Sequence, residues 1–216
     1  MGFRAFVMDL LFPPKCVFCG RVLLHVSDVY CARCERDLPF TEGQDSVWRG
    51  EGFDLCAAPL YYRDEVRKSI LRFKFKGRSG YAECYGKVLA DCIRKHLSGG
   101  YDIISWVPLS EVRAKTRGYD QAMLLALAAA LELDDVAAET LRKTRDARAQ
   151  SSLSGRDARA ANISGAYEAA DPELIAGKRV LLIDDIFTTG STLAECARTL
   201  TTAGAAAVCG VALAKA

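Results

Sequence analysis

The stretch Arg179 to Leu193, RVLLIDDIFTTGSTL, gathers the residues best suited to chemistry. Two carboxylates, Asp184 and Asp185, follow an apolar run, and Thr188, Thr189, Gly190, Ser191 and Thr192 come next. The run predicts a buried strand over Arg179 to Ile183, and a 3.6-residue period predicts a helix over Ser191 to Ala203, closed by Gly204. In an open α/β sheet, ligands bind at the carboxyl ends of the strands. A helix N-terminus there offers unpaired N–H groups and the positive end of a dipole. The Thr and Ser hydroxyls add donors, and Gly190 lets the backbone come close. These parts hold a phosphate monoester. Paired acids repel a phosphate unless they face something else, and vicinal sugar hydroxyls or a hard cation such as Mg²⁺ suit them. Phosphate at one end and diol acceptors at the other describe a ribose 5-phosphate. An ordinary Ser/Thr helix cap calls for neither paired acids nor four hydroxyls. No G-x-x-x-x-G-K-[ST] occurs in the chain, which excludes a Walker A loop.

A second constellation lies near the N-terminus. Of nine cysteines, four form two C-x-x-C knuckles: Cys16 with Cys19, and Cys31 with Cys34. Each knuckle sets two thiolates on one tight turn, and two turns close a tetrahedron around Zn²⁺. Gly20 follows the first knuckle, and the segment RVLLHVSDVY between the pairs predicts a short hairpin. A Cys₄ set also suits an iron–sulfur cluster, whereas two pairs at this spacing argue against a redox dithiol. His25 reads as an exposed loop residue. Cys56, Cys84, Cys92, Cys196 and Cys209 are isolated, and Cys84, Cys92 and Cys196 sit among apolar residues at helical spacing, as small buried hydrophobes do.

The elements that position these residues follow from periodicity. Phe3, Phe6, Val7, Leu10 and Leu11 mark an amphipathic helix ended by Pro13 and Pro14. Thr41 to Gly52 is polar and Gly-rich and predicts a linker. Strands are predicted over Leu55 to Tyr62, Ile103 to Val107 and Ala206 to Leu213. Helices are predicted over Glu65 to Phe75, Tyr81 to Leu97 and Asp120 to Leu133, the last apolar nearly all round. Arg142 to Asn162 is polar without a period. Alternating strands and helices predict an α/β fold with a parallel sheet covered on both faces.

A chain of 216 residues accommodates this sheet plus a small appendage. Half of its residues are hydrophobic and 26% charged, which excludes global disorder. A net charge of +2 excludes a generally basic nucleic-acid coat but conceals local patches. Arg63 to Arg78 carries seven basic and two acidic residues, and Arg142 to Arg159 six and two. No apolar run spans a bilayer, and Asp9 interrupts the only stretch resembling a signal peptide, so a cytoplasmic protein with reduced thiols is expected.

The Asp184–Thr192 stretch resembles the fingerprint of type I phosphoribosyltransferases. The whole chain resembles the ComF family of competence-associated proteins, which join an N-terminal four-cysteine zinc module to such a domain. The likeness rests on LFPPKCVFCG, both knuckles, VPLS…RGYDQA (Val107 to Ala122), RAQSSLSGRDARAANISGAY (Arg148 to Tyr167) and the acid–hydroxyl loop. It implies a type I phosphoribosyltransferase-like sheet over residues 46–216 and a helix plus zinc module over residues 1–45. It implies binding of phosphoribosyl pyrophosphate with Mg²⁺ and transfer of phosphoribosyl to an acceptor that the sequence leaves open. Asp184 and Asp185 would meet the ribose, and Thr188 to Thr192 the 5-phosphate. Pro108 to Glu111, with Arg113, Lys115 and Arg117, would meet pyrophosphate. Arg142, Lys143, Arg145, Arg148, Arg156 and Arg159 fall in a loop of the kind that closes over substrate. Phe187 is bulkier than the usual aliphatic residue, and Thr188 stands where purine-salvage members place an Asp. The family's link to DNA uptake also implies single-stranded DNA and competence proteins as partners. The basic segment Arg63 to Arg78, with Phe73 and Phe75 interleaved, and Arg33 and Arg36 beside the second knuckle are the residues such a DNA-binding role would use. The competing reading of that segment is a surface helix docking Val66, Ile70 and Phe73 on the sheet.

Overall fold

A computed structural model describes residues 13–25, 29–50, 52–144 and 165–216. The predicted N-terminal helix and Arg145, Arg148, Arg156 and Arg159 lie outside the described residues. Strands β1 (Val47–Gly50), β2 (Phe53–Ala57), β3 (Leu60–Tyr61), β4 (Ile103–Trp106), β7 (Arg179–Phe187) and β8 (Ala207–Lys215) form one sheet. Its order is β1-β2-β8-β7-β4, with β3 also on β8. All pairings are parallel except β1 with β2. Strands β5 (Leu141–Lys143) and β6 (Tyr167–Ala169) form a separate antiparallel pair. The fold is therefore the α/β architecture that the alternating pattern predicts.

Helices cover both faces. On one lie α2 (Asp64–Phe75), α3 (Tyr81–His96) and α5 (Gln121–Glu132), burying Val66, Ile70, Phe73, Tyr85, Leu89 and Leu125 against Leu181, Ile183, Val211 and Leu213. On the other lies α7 (Ser191–Thr202), burying Leu193, Cys196 and Leu200 against Val180, Leu182 and Val208. Successive β7 residues thus feed opposite cores, which is why its first part reads as an unbroken apolar run. Helices α3 and α5 approach closely: a Cβ on Gly86 would lie 2.6 Å from the Ala128 Cβ. Short helices α1 (Ala32–Asp37), α4 (Glu111–Arg117) and α6 (Pro172–Ile175) are too brief for a 3.6-residue period to show in the sequence.

Two segments depart from the sequence expectation. The stretch Thr41 to Gly52 is not a plain linker. It holds a 3₁₀ turn at Gly43–Ser46 and the edge strand β1, whose alternation is cut short by Gly50. The expected strand Leu55 to Tyr62 is two strands, β2 and β3, separated by Ala58-Pro59. Cys16, Val17, Phe18, Leu23, Cys34 and Leu38 are buried in the same cluster as α2 and α3.

Candidate functional site

The four knuckle cysteines converge as their spacing predicts. The Sγ atoms of Cys16, Cys19, Cys31 and Cys34 all lie within 4.8 Å of one another. Gly20 turns the chain at φ +77, and α1 begins directly after Cys31. Four soft thiolates in a closed cluster fit a tetrahedral structural Zn²⁺. His25 is exposed and outside the cluster. The other five cysteines are free thiols; four are buried and Cys84 is half-buried. Arg33 and Arg36 both turn to Asp37, at 3.5 and 2.8 Å.

The second site forms at the carboxyl end of β7. Asp184 and Asp185 lie within the strand rather than beyond it. Ile186 and Phe187 continue its register with Ala214 and Lys215, carrying β7 past the expected end at Ile183. Around the acids, a cavity of about 220 Å³ is lined by Lys74 from α2, Pro108 after β4, Arg113 and Arg117 from α4, Lys143 from β5 and Thr192 from α7. Three distant segments thus bring four cations to two carboxylates. Lys74 Nζ stands 2.8 Å from Asp185 Oδ2, with the two side chains 16% and 13% exposed. Arg117 lies over the Phe75 ring at 5.0 Å and donates to Gln121 Oε1 at 2.7 Å. Lys143 Nζ lies 5.2 Å from the Tyr167 ring centre.

Burial, and after it the charge of Asp185, pushes the Asp184 carboxyl up to about 8. Lys74 acts in the opposite direction. Burial disfavours the charged form of this carboxyl, and a hard cation or a hydroxyl donor would favour it. Asp120 is the third acid. Its carboxylate accepts from the N–H of Leu109 at 2.6 Å and of Met123 at 3.1 Å, so it caps α5 and pins the loop after β4.

The hydroxyl loop opens a second, larger cavity. Thr188, Thr189, Gly190 and Ser191 line a space of about 720 Å³ with Trp48, Phe53, Phe187, Glu195 and Arg198. Thr189 Oγ1 and Ser191 Oγ are 2.9 Å apart at the start of α7. The bulky Phe187 has a partner: its ring meets Trp48 edge-on at 4.7 Å and Phe53 at 6.2 Å. Gly190 has φ +79, and a Cβ there would lie 2.7 Å from the Phe187 ring. Gly190→Ala is therefore expected to cost about 1–2 kcal/mol, read as a lower melting temperature. An unchanged melting temperature would refute this account of the loop.

The chain is 27% identical over 192 residues to competence protein ComFC of Streptococcus pneumoniae, covering 88% of this chain and 82% of that one. It is 28% identical to competence protein F of Haemophilus influenzae, over 87% and 78% of the two chains. It is 30% identical over 198 residues to the DNA utilization protein YhgH of Escherichia coli, over 89% and 80%. The chain belongs to the ComF family. Within this ComF chain, residues 7–45 match the double zinc ribbon domain and residues 116–216 the phosphoribosyl transferase domain. The cysteine cluster falls inside the first match, and β7, the hydroxyl loop and α7 inside the second.

Periodicity alone missed four residues that line the acid cavity. Lys74 reads as part of a basic helix, and Tyr167 belongs to a short strand. Lys143 stands in a polar stretch without a period, and only the family resemblance points to it, as part of a closing loop. Asp120 stands in the quoted RGYDQA stretch, where a cap signal was available.

Proposed function

We propose that this ComF-family chain binds phosphoribosyl pyrophosphate with Mg²⁺ and transfers the phosphoribosyl group to an acceptor, in the DNA-handling context that its relatives' names indicate. One observation carries the reading: two carboxylates of one strand share a cavity with Lys74, Arg113, Arg117 and Lys143, directly beside a hydroxyl-rich helix N-terminus. Acids to receive a diol, cations to receive pyrophosphate and a helix end to receive a monoester are the three parts this substrate needs.

Thr188 to Thr192 hold the 5-phosphate. Asp184 and Asp185 accept hydrogen bonds from the ribose hydroxyls and orient the sugar. Pro108 with Arg113 and Arg117 cradles the pyrophosphate; Arg145, which the family resemblance also assigns to this substrate, lies outside the described residues. Both acids are hard oxygen donors, which fits Mg²⁺ arriving with the substrate; the ion would supply positive charge to the leaving group. The acceptor's nucleophile forms a bond to C1 as the C1–O bond breaks, pyrophosphate leaves with the bonding electrons, and the acceptor loses a proton. The fixed cations lower the cost of the charge that develops.

A separate hold on single-stranded DNA has less support. Of the seven cations in Arg63 to Arg78, Lys68 pairs with Glu65, Lys74 with Asp185, and Arg72 donates to the carbonyls of Val17 and Phe18. Val66, Ile70 and Phe73 are fully buried, leaving Phe75 as the exposed aromatic of that helix.

Calorimetry with phosphoribosyl pyrophosphate and Mg²⁺ tests the proposal. Binding is expected in the wild type and a loss of at least about 100-fold in the Asp184→Asn/Asp185→Asn double variant, on the scale of two or more charge-assisted hydrogen bonds. Pyrophosphate release across a panel of bases and amines then identifies the acceptor. No heat and no thermal shift with this ligand would overturn the reading.

A further inference from the structure

Helix α2 touches both sites, and its two ends of contact lie close together. Toward the cysteines, Ser69 and Arg72 reach the turn of the first knuckle. Ser69 Oγ donates to the Val17 carbonyl and accepts from Tyr85 Oη at 2.5 Å. The Arg72 guanidinium donates to the carbonyls of Val17 at 3.1 Å and Phe18 at 2.6 Å. Those carbonyls belong to the two residues between Cys16 and Cys19. Toward the acids, Lys74 holds Asp185 at 2.8 Å. Ser69 and Lys74 are five positions apart, about 7.5 Å along a helix.

The space between is filled without slack. Phe18 packs on Tyr85 at 5.8 Å between ring centres, and Tyr85 on Phe73 at 5.4 Å. Ser69, Phe73, Phe18 and Tyr85 are all fully buried. Tyr119, beside the α4 cations, donates its hydroxyl to the Phe73 carbonyl. A knuckle that moves cannot leave α2 in place without orphaning buried hydrogen-bonding groups, and α2 cannot shift without drawing Lys74 from Asp185.

We propose that Lys74 is a positioning residue for Asp185, and that the metal-bound knuckle sets where Lys74 stands. Metal retention at the four thiols and ligand binding at the acid pair are then thermodynamically coupled through α2, each strengthening the other by the same factor. The ligand half rests on the function proposed above; the metal half does not.

Zinc release to a colorimetric chelator measures the metal half directly, on the zinc-loaded full chain without substrate. Lys74→Met touches no residue of the knuckle, yet it is expected to release zinc about fivefold faster than wild type, the lower range of ordinary coupling. Lys74→Arg, which keeps the ion pair, is expected to restore slow release. Asp185→Asn breaks the same pair from the strand side with little change of shape, and is expected to act like Lys74→Met. Leu200→Ala, in the core on the opposite face of the sheet, is the control for lost stability outside α2 and is expected to match wild type. Release from both pair-breaking variants within twofold of wild type overturns the proposal, as does equally fast release from Leu200→Ala. For the ligand half, Arg72→Met is expected to weaken phosphoribosyl pyrophosphate binding by a similar factor. If the wild type binds none of that ligand, the proposed function fails while the zinc-release comparison still decides the coupling.

Discussion

Stripping the metal from the cysteine cluster is expected to lower the melting temperature by about 10 °C or more, with Cys34→Ser having a similar effect. The knuckle turns carry too few apolar residues to fold alone, so the metal supplies their folding free energy. In this chain those turns are also part of the main core. Val17, Phe18, Leu23 and Leu38 are buried with Ile70, Phe73 and Tyr85. Releasing the turns therefore strips packing from α2 and α3. Loss of a fully buried Phe alone is worth about 3–5 kcal/mol. In a chain of this length each kcal/mol corresponds to roughly 2–4 °C. Scanning calorimetry with and without a chelator checks the effect. Cys84→Ser is the comparison: this half-buried thiol is outside the cluster and should cost less than about 1 kcal/mol. A melting temperature that ignores the chelator would refute a structural metal.

The second large effect concerns Lys74 and Asp184, whose replacements should move stability in opposite directions. In the folded chain, burial and then Asp185 raise the Asp184 carboxyl to about 8. The unfolded chain releases that proton near the ordinary value of about 4. Between those values the folded state binds more protons than the unfolded one, so stability falls as pH rises through this window. Asp184→Asn removes the penalty. It is expected to stabilise the ligand-free fold at pH 8 by roughly 1–2 kcal/mol, with little change at pH 4, while ligand binding is lost. Lys74→Met does the reverse. It takes away the cation paired with Asp185 and a charge that lowers Asp184, with Arg113, Arg117 and Lys143 still lining the cavity. Breaking a largely buried pair costs about 3 kcal/mol. The loss should be greatest at pH 8 and shrink toward pH 4, where Asp184 is protonated in the folded chain. Urea unfolding at both pH values reads both variants. Equal losses for Lys74→Met at the two pH values would assign its role to packing and refute the electrostatic account.

A stabilising Asp184→Asn would also explain why the site carries such an acid. A buried carboxyl beside a second acid is a poor choice for the fold and a good one for receiving a cation or a hydroxyl donor. The ion pair of Lys74 with Asp185 offsets part of that cost. By the same ion pair, the basic stretch of α2 reads as an internal element of the site as much as a surface for nucleic acid.

The local chemistry was legible in the amino-acid order. Two C-x-x-C pairs specify a four-thiolate cluster because each tight turn fixes its own two sulfurs. The acid–hydroxyl loop is legible because strand, turn and helix follow within fifteen residues, each with its own period. The helices over Tyr81–His96 and Gln121–Glu132 were legible because their apolar stripes are long. Tertiary structure decided the rest. Lys74 meets Asp185 across 111 positions because α2 packs on the face of β7 that carries Leu181 and Ile183. Thr41 to Gly52 hides an edge strand because Trp48 finds its partner in Phe187, far along the chain. The acid–hydroxyl motif itself divides between two cavities: Asp184, Asp185 and Thr192 face one, and Thr188 to Ser191 the other. Periodicity records which face of an element is apolar. It carries no information about which distant charge that face meets, because sheet order and helix crossing set that meeting, and they are properties of the whole chain.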